Sequence, residues 1–252
     1  MDLTPNNRYS RHSSLEQIGE SGQARIRASH VLIVGLGGLG SPAAMYLAAA
    51  GVGRLTLADF DTVEVSNLQR QIAHTTERVG QLKTDSARQA CLDINPECQI
   101  DTLNYALDDE DLESLLSDCT VVLDCSDNFP TRFAVNAACV KRCVPLVSGA
   151  AIRFDGQISV YDSRQNDAPC YRCLYSDTDG QADSCAQAGI LGPVVGMVGC
   201  VQAIEALKLI CEIGTSLSGR LVLLDGLSME WNEIRLRKNP KCPVCGHSGD
   251  SD

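Results

Sequence analysis

A glycine-rich turn between a short aliphatic run and an alanine-rich run constrains this chain more than any other feature. The segment reads HVLIVGLGGLGSPAAMYLAAAG, with Gly35, Gly37 and Gly40 spaced as G-x-G-x-x-G. Residues 31–34 suit a buried strand, and 41–50 suit a helix. Glycines at such a junction allow a tight turn, admit a phosphate to the backbone and let the helix pack on the strand. The first helical amides then favour an anion. Asp59 ends the next predicted strand, about 20 residues beyond the turn, where a carboxylate can bond a ribose hydroxyl. These features predict a nucleotide site. Alone they do not separate NAD, FAD and ATP.

The rest of the first half repeats the same alternation. Strands are predicted over 54–59, 99–105, 120–125 and 144–149, and helices over 14–29, 81–94, 108–116 and 133–142. Strands alternating with helices imply a parallel sheet covered on its faces. The pattern changes after Gly149. Residues 151–162 predict a hairpin turning at Asp155-Gly156. A polar stretch covers 163–187, a long apolar helix 190–213, and late strands 220–226 and 231–237. The expected fold class is α/β, Rossmann-like, with a largely parallel sheet extended by antiparallel strands. It forms one domain over 1–252: a nucleotide-binding half, 1–149, and a mixed half, 150–252.

Lys plus Arg total 21 against 32 Asp plus Glu, a net charge of −11. That balance argues against nucleic acid as a partner, because neutralising phosphates needs a basic face. A nucleotide in a locally basic pocket remains compatible with it. The 252 residues can bury a core without staples, and the odd count of 13 cysteines speaks against a paired disulfide framework. The first residues are polar and lack a signal-peptide core. The apolar runs read as too short to span a bilayer. A cytoplasmic protein is therefore expected, with clustered cysteines as metal ligands or reactive thiols.

Several side chains carry specific chemistry. Past Asp59 come Asn67, Arg70 and Gln71, and Lys83 opens a predicted helix. Two cations and an Asn following a glycine turn favour phosphate contact over solvated surface charge. The fourth strand ends in LDCSDN, at the edge where open α/β sheets place ligands. Asp127 suits Mg²⁺, a hard cation. Asp124 reads as a cap for the following helix. Asp127-Asn128 also reads as an N-cap, a role compatible with metal binding. Cys170 with Cys173 and Cys242 with Cys245 form two C-x-x-C pairs, enough for a closed structural Zn²⁺ site with no position left for water. Cys185 reads, on the residues alone, as an ordinary loop cysteine. Two rivals stand beside an ATP enzyme: an NAD-dependent oxidoreductase, for which no hydride-transfer acid or base is visible, and a non-catalytic zinc-bearing scaffold.

In chain order, RYSR (8–11), VLIVGLGGLGSPAA, DFDTVEVSNLQRQ, LDCSDN, PLVSGAAIRFDGQI, CYRC, GPVVGMVGCVQAIEALK and CPVCG together resemble the MoeB/ThiF family, relatives of the ubiquitin-activating enzymes. The resemblance covers nearly the whole chain. It implies an adenylyltransferase that uses ATP and Mg²⁺ to adenylate the C-terminal Gly-Gly carboxylate of a small ubiquitin-like sulfur-carrier protein. That product would serve molybdopterin or thiazole biosynthesis.

The resemblance also implies roles for individual residues. Gly38 lies against the nucleotide and Asp59 binds the ribose. Asp61, Ser66, Asn67, Leu68, Gln69, Arg70 and Lys83 complete the phosphate side, and Asp127 with Asn128 closes the site. Arg11 crosses a homodimer interface into the partner's ATP site. Cys185 matches the sulfur-transfer thiol of the thiazole branch, whose donor would be a cysteine desulfurase or a rhodanese-type protein. With no rhodanese-like domain after Cys245, the chain looks like a stand-alone bacterial member. His12 departs from the pattern, in which many relatives have Gln.

Overall fold

The computed structural model describes residues 8–176 and 189–246. Its strands are β1 (His30–Val34), β2 (Arg54–Ala58), β3 (Gln99–Leu103), β4 (Val121–Asp124), β5 (Leu146–Ile152), β6 (Asp155–Tyr161), β7 (Arg220–Asp225) and β8 (Glu230–Arg235). They form one eight-stranded sheet in the order β3-β2-β1-β4-β5-β6-β7-β8. Pairing is parallel from β3 through β5 and antiparallel from β5 to β8. The chain leaves β1 toward β2 and later returns to β4 on the other side. That reversal opens a crevice at the strands' carboxyl ends, where such sheets bind ligands.

Longer helices cover both faces: α1 (Gly19–Ala28), α2 (Gly40–Ala50), α3 (Lys83–Ile94), α4 (Asp109–Leu115), α5 (Phe129–Arg142) and α6 (Gly192–Cys211). Every residue of β1 is buried, because alternate side chains serve opposite cores. Val31 and Ile33 join the cluster under α1, α2, α3 and α6. Leu32 and Val34 join the one under α4 and α5. Local chemistry sets the helix ends. The Asn128 side chain accepts from the Thr131 amide at the start of α5, an N-cap. Gly51, at φ 88, closes α2.

The structure corrects the sequence reading at several points. The hairpin pairs Ile152 with Asp155, so it turns on Arg153-Phe154 rather than Asp155-Gly156. Arg153 takes a left-handed φ of 54°, and the neighbouring loop holds it there: its amide donates to Gly189 O and its carbonyl accepts from Leu191 N. Gly156 serves packing instead, since a Cβ there would lie 2.6 Å from a methyl of Val198 on α6. The first long helix begins at Gly19, where a φ of 55° interrupts the run expected from residue 14. Helix α5 starts at Phe129, a turn before the 133–142 run and in line with the N-cap read at Asn128.

Helix α6 is long and apolar enough to cross a membrane by length and composition, contrary to the sequence expectation. It packs instead on α2 and β5. Its Gln202 and Glu205 are buried against protein partners: Gln202 Nε2 donates to Asp124 O, and Glu205 Oε2 accepts from Leu217 N. Its crossing with α2 is close enough that a Cβ on Gly199 would lie 2.3 Å from Leu39 O. Gly199→Ala is therefore expected to cost about 1–3 kcal/mol, the usual penalty for overpacking a core. Urea denaturation would read this as a lower midpoint with an unchanged slope.

Candidate active site

The glycine turn is held by hydrogen bonds from both sides. Leu36 N donates to Asp59 Oδ2 at 2.7 Å, and Asp61 N donates to Asp59 Oδ1 at 2.9 Å. Burial raises the Asp59 pKa, against the pull of the Lys83 charge. The Leu36 carbonyl faces His74 Nε2 at 3.0 Å, while His74 Nδ1 meets Ser86 Oγ at 2.9 Å. A carbonyl can only accept, so Nε2 carries the proton and Nδ1 accepts from the serine. Burial lowers the His74 pKa and keeps the ring neutral. Gly35 has φ 92, and a Cβ on it would lie 2.7 Å from Cys125 O.

A pocket opens above this turn, at the carboxyl ends of β1, β2 and β4. Arg70, Lys83 and Asp127 all line it, together with Gly35, Gly37 and Gly38. Lys83 is 7% exposed, and its Nζ donates to Asp61 Oδ2 at 2.7 Å. Arg70 is anchored by Nη1 on Ser66 O at 3.0 Å. Asp127 is exposed at the rim beside Asn128. The cations and the carboxylate predicted from sequence thus share one cavity with the glycine turn.

Other predicted residues act as scaffold or lie elsewhere. Asn67 is buried and closes a capping box, its Oδ1 accepting from Glu64 N. Ser66, Leu68, Gln69 and Gly40 do not line the pocket. Gln69 contributes its carbonyl oxygen, against which Gly192 packs. Arg11 is exposed on the single turn Ser10–Ser13, outside its own chain's pocket. Cys185 lies outside the described residues. Asp124 is no helix cap. It is fully buried, accepts from Ser126 N and Ser126 Oγ, and stands 3.7 Å from the Arg132 guanidinium.

The sequence reading did not place Arg132 in the site, and it noted Gln71 without assigning it there. Both line the pocket. Gln71 sits beside Gly37, and its buried Oε1 has no hydrogen-bond partner among the described residues, which suits a polar ligand. Position next to Arg70 was the available signal. Arg132 had none, because it reads as an ordinary helical arginine. Tyr105, Leu107 and Val135 supply an apolar wall of the kind that takes a flat ring.

The two cysteine pairs converge away from this pocket. Cys170 Sγ and Cys242 Sγ lie 3.6 Å apart, Cys173 Sγ and Cys245 Sγ 3.3 Å, and all four sulfurs are within 4.8 Å of one another. A tetrahedral ion with metal–sulfur bonds of about 2.3 Å separates its sulfurs by about 3.8 Å, so the set fits one metal ion. Asn136 Nδ2 approaches Cys170 Sγ at 3.7 Å, and Asn136 Oδ1 accepts from Tyr171 N at 2.8 Å.

The family model described as "ThiF family" matches residues 9–244. The molybdopterin-synthase adenylyltransferase of Salmonella typhimurium is 47% identical over 239 residues, covering 95% of this chain and 96% of that protein. The SAMP-activating enzyme E1 of Haloferax volcanii is 43% identical over 251 residues, covering 99% and 92%. Among solved structures, E. coli MccB with ATP superposes with a TM-score of 0.84 at 23% identity, covering 97% of this chain and 75% of that one. This last likeness bears on the fold alone.

The neutral, buried His74 makes stability depend on pH. Its folded pKa lies below the ordinary 6.5, so the unfolded state binds more protons, and stability falls as pH drops through that value. Urea titrations between about pH 5 and 7.5 are expected to show this slope, shallower in His74→Asn. Some slope persists in the variant because His30 is also lowered by burial.

Proposed function

The chain belongs to the ThiF family, and on that footing we propose that it adenylates the C-terminal Gly-Gly carboxylate of a small ubiquitin-like sulfur-carrier protein with ATP, releasing pyrophosphate. The observation that carries the reading is the shared pocket of Arg70, Lys83 and Asp127 beside the glycine turn. The names of the relatives, adenylyltransferase and activating enzyme, support it and leave the oxidoreductase and scaffold readings without support.

The carrier carboxylate is ionised at neutral pH and needs no general base to become a nucleophile. One of its oxygens forms a bond to the α-phosphorus while the bond from that phosphorus to the bridging oxygen breaks, and the electron pair leaves with pyrophosphate. The barrier is the approach of two anions and the charge on the leaving group. Gly38 brings backbone to the phosphates, and Asp59 accepts from the ribose hydroxyls. Tyr105 and Leu107 take the base. Lys83 exchanges its Asp61 partner for phosphate oxygens, and Arg70, held by Ser66 O, adds a second fixed cation. Asp127 is the Mg²⁺ ligand; the ion, when bound, offsets charge on the phosphates. Fixing the carboxylate in line supplies the remainder of the rate.

Arg11 completes the site of a second copy of the chain. Tyr9 anchors its turn: the ring lies against Gly51, and the hydroxyl accepts from Asn95 Nδ2 at 2.9 Å. Cys170, Cys173, Cys242 and Cys245 would hold Zn²⁺; four thiolates would leave no position for water, so the ion would be structural.

Asp127→Ala is expected to abolish carrier-dependent exchange of pyrophosphate into ATP and the mass gain of AMP on the carrier. Near-native exchange would remove Asp127 from this role. Arg11→Ala alone is also expected to be inactive. Mixing the two variants under subunit exchange should restore up to about a quarter of the native rate for random two-fold pairing. No recovery on mixing would show that Arg11 does not act across an interface.

A further inference from the structure

Arg132 is a cation in the pocket wall whose charge is already committed. It is 6% exposed. Its Nη2 donates to Gly149 O at 3.0 Å and to Ser126 O, and its Nη1 approaches Ser148 Oγ at 3.4 Å and Asp124 Oδ2 at 3.7 Å. Asp124 in turn accepts from Ser126 N at 3.1 Å, Ser126 Oγ at 2.7 Å and Ser148 Oγ at 3.1 Å. The amide, hydroxyl and carbonyl of Ser126 are therefore all held by one buried ion pair. Ser126 is the residue directly before Asp127. The exposed Asp127 carboxylate has no hydrogen-bond or ionic partner among the described residues, so its placement depends on the backbone that carries it.

We propose that Arg132, with Asp124 as counter-ion, is a positioning residue that fixes the Ser126–Asp127 backbone and so aims the Asp127 carboxylate at its cation. The inference rests on the reading of Asp127 as a divalent-metal ligand. The chemistry decides between a positioning role and direct phosphate contact. Guanidinium nitrogens engaged by Ser126 O, Gly149 O, Ser148 Oγ and Asp124 are not available to a triphosphate. Arg70 and Lys83 are the cations that are. The planar fork keeps Nη2 on the carbonyls of Ser126 and Gly149 while Nη1 faces Ser148 Oγ and Asp124, a two-nitrogen span that a single ammonium cannot cover.

The test is Arg132→Lys, which keeps a positive charge opposite Asp124 but loses the fork. The expected result is a Mg²⁺ half-saturation concentration raised about tenfold or more, in the range seen for groups that orient metal ligands. KM for ATP at saturating Mg²⁺ should stay within about twofold, because the nucleotide's own contacts are intact. A second readout does not need turnover: amide hydrogen exchange over 125–128, without nucleotide, should be faster than in the native protein. A variant that merely lost folded molecules would lower the exchange rate at every Mg²⁺ concentration and leave the half-saturation point where it was. That outcome, with unchanged amide exchange, overturns the proposal. If Arg132→Lys does not fold, Ser126→Ala removes only the hydroxyl bond to Asp124. It is expected to shift Mg²⁺ half-saturation in the same direction by a smaller factor, and no shift there overturns the proposal equally. Asp127→Ala run alongside separates the two levels. Surviving activity in Asp127→Ala sinks the metal-ligand reading; loss there with a native Mg²⁺ response in Arg132→Lys sinks only the positioning role.

Discussion

Backbone meets backbone around the first turn at distances that admit no side chain. A Cβ on Gly40 would lie 1.9 Å from Gly35 O, and one on Gly53 would lie 1.9 Å from Arg27 O. These contacts seat α2 against the end of β1 and bring β2 in beside α1. The same closeness recurs where α6 crosses α2 at Gly199. Because the elements dock this tightly, the amides of the turn stay at the crevice between β1 and β4, and the aliphatic core fills in on both faces. The parallel half of the sheet has little freedom once these approaches are made.

The charges around the crevice divide into two kinds. Lys83 and Asp61 form a pair at the pocket edge, with Asp61 largely in solvent. Such a pair can be opened by a more negative competitor at modest cost. Arg132 and Asp124 form a pair in the interior, with both terminal guanidinium nitrogens and both carboxylate oxygens matched by backbone or serine groups. Breaking one side of that pair leaves an uncompensated charge in a dry place, which costs several kcal/mol. The exchangeable pair meets ligand and the fixed pair shapes what the ligand meets.

Much of this was legible in the residues because it was local or strongly spaced. The glycine turn, Asp59, Lys83 at a helix start, and the two C-x-x-C pairs each announce themselves within a few positions. What could not be read is what depends on distant contact. Arg132 looks like any helical arginine until β5 places Gly149 O and Ser148 within its reach. Gly156 looks like a turn glycine because Asp-Gly is a common hairpin signal, but Val198 needs its empty side. Asn67, expected to face phosphate, spends its side chain capping its own short loop. For Arg132 and Gly156 an element far along the chain chose between two locally sensible roles; for Asn67 the choice was made three residues away, at Glu64.

Helix α5 carries Arg132 and Asn136 on adjacent turns. The first grips the strand end under the pocket, and the second grips the backbone and a sulfur of the cysteine knuckle. Side chains four apart on a helix share a face, and a single turn is stiff. The knuckle and the crevice therefore share one rigid spacer. A shift of α5 along its axis would be felt at Ser126 O and Gly149 O and at Cys170 Sγ together, so the far tail and the crevice lean on the same stretch of helix.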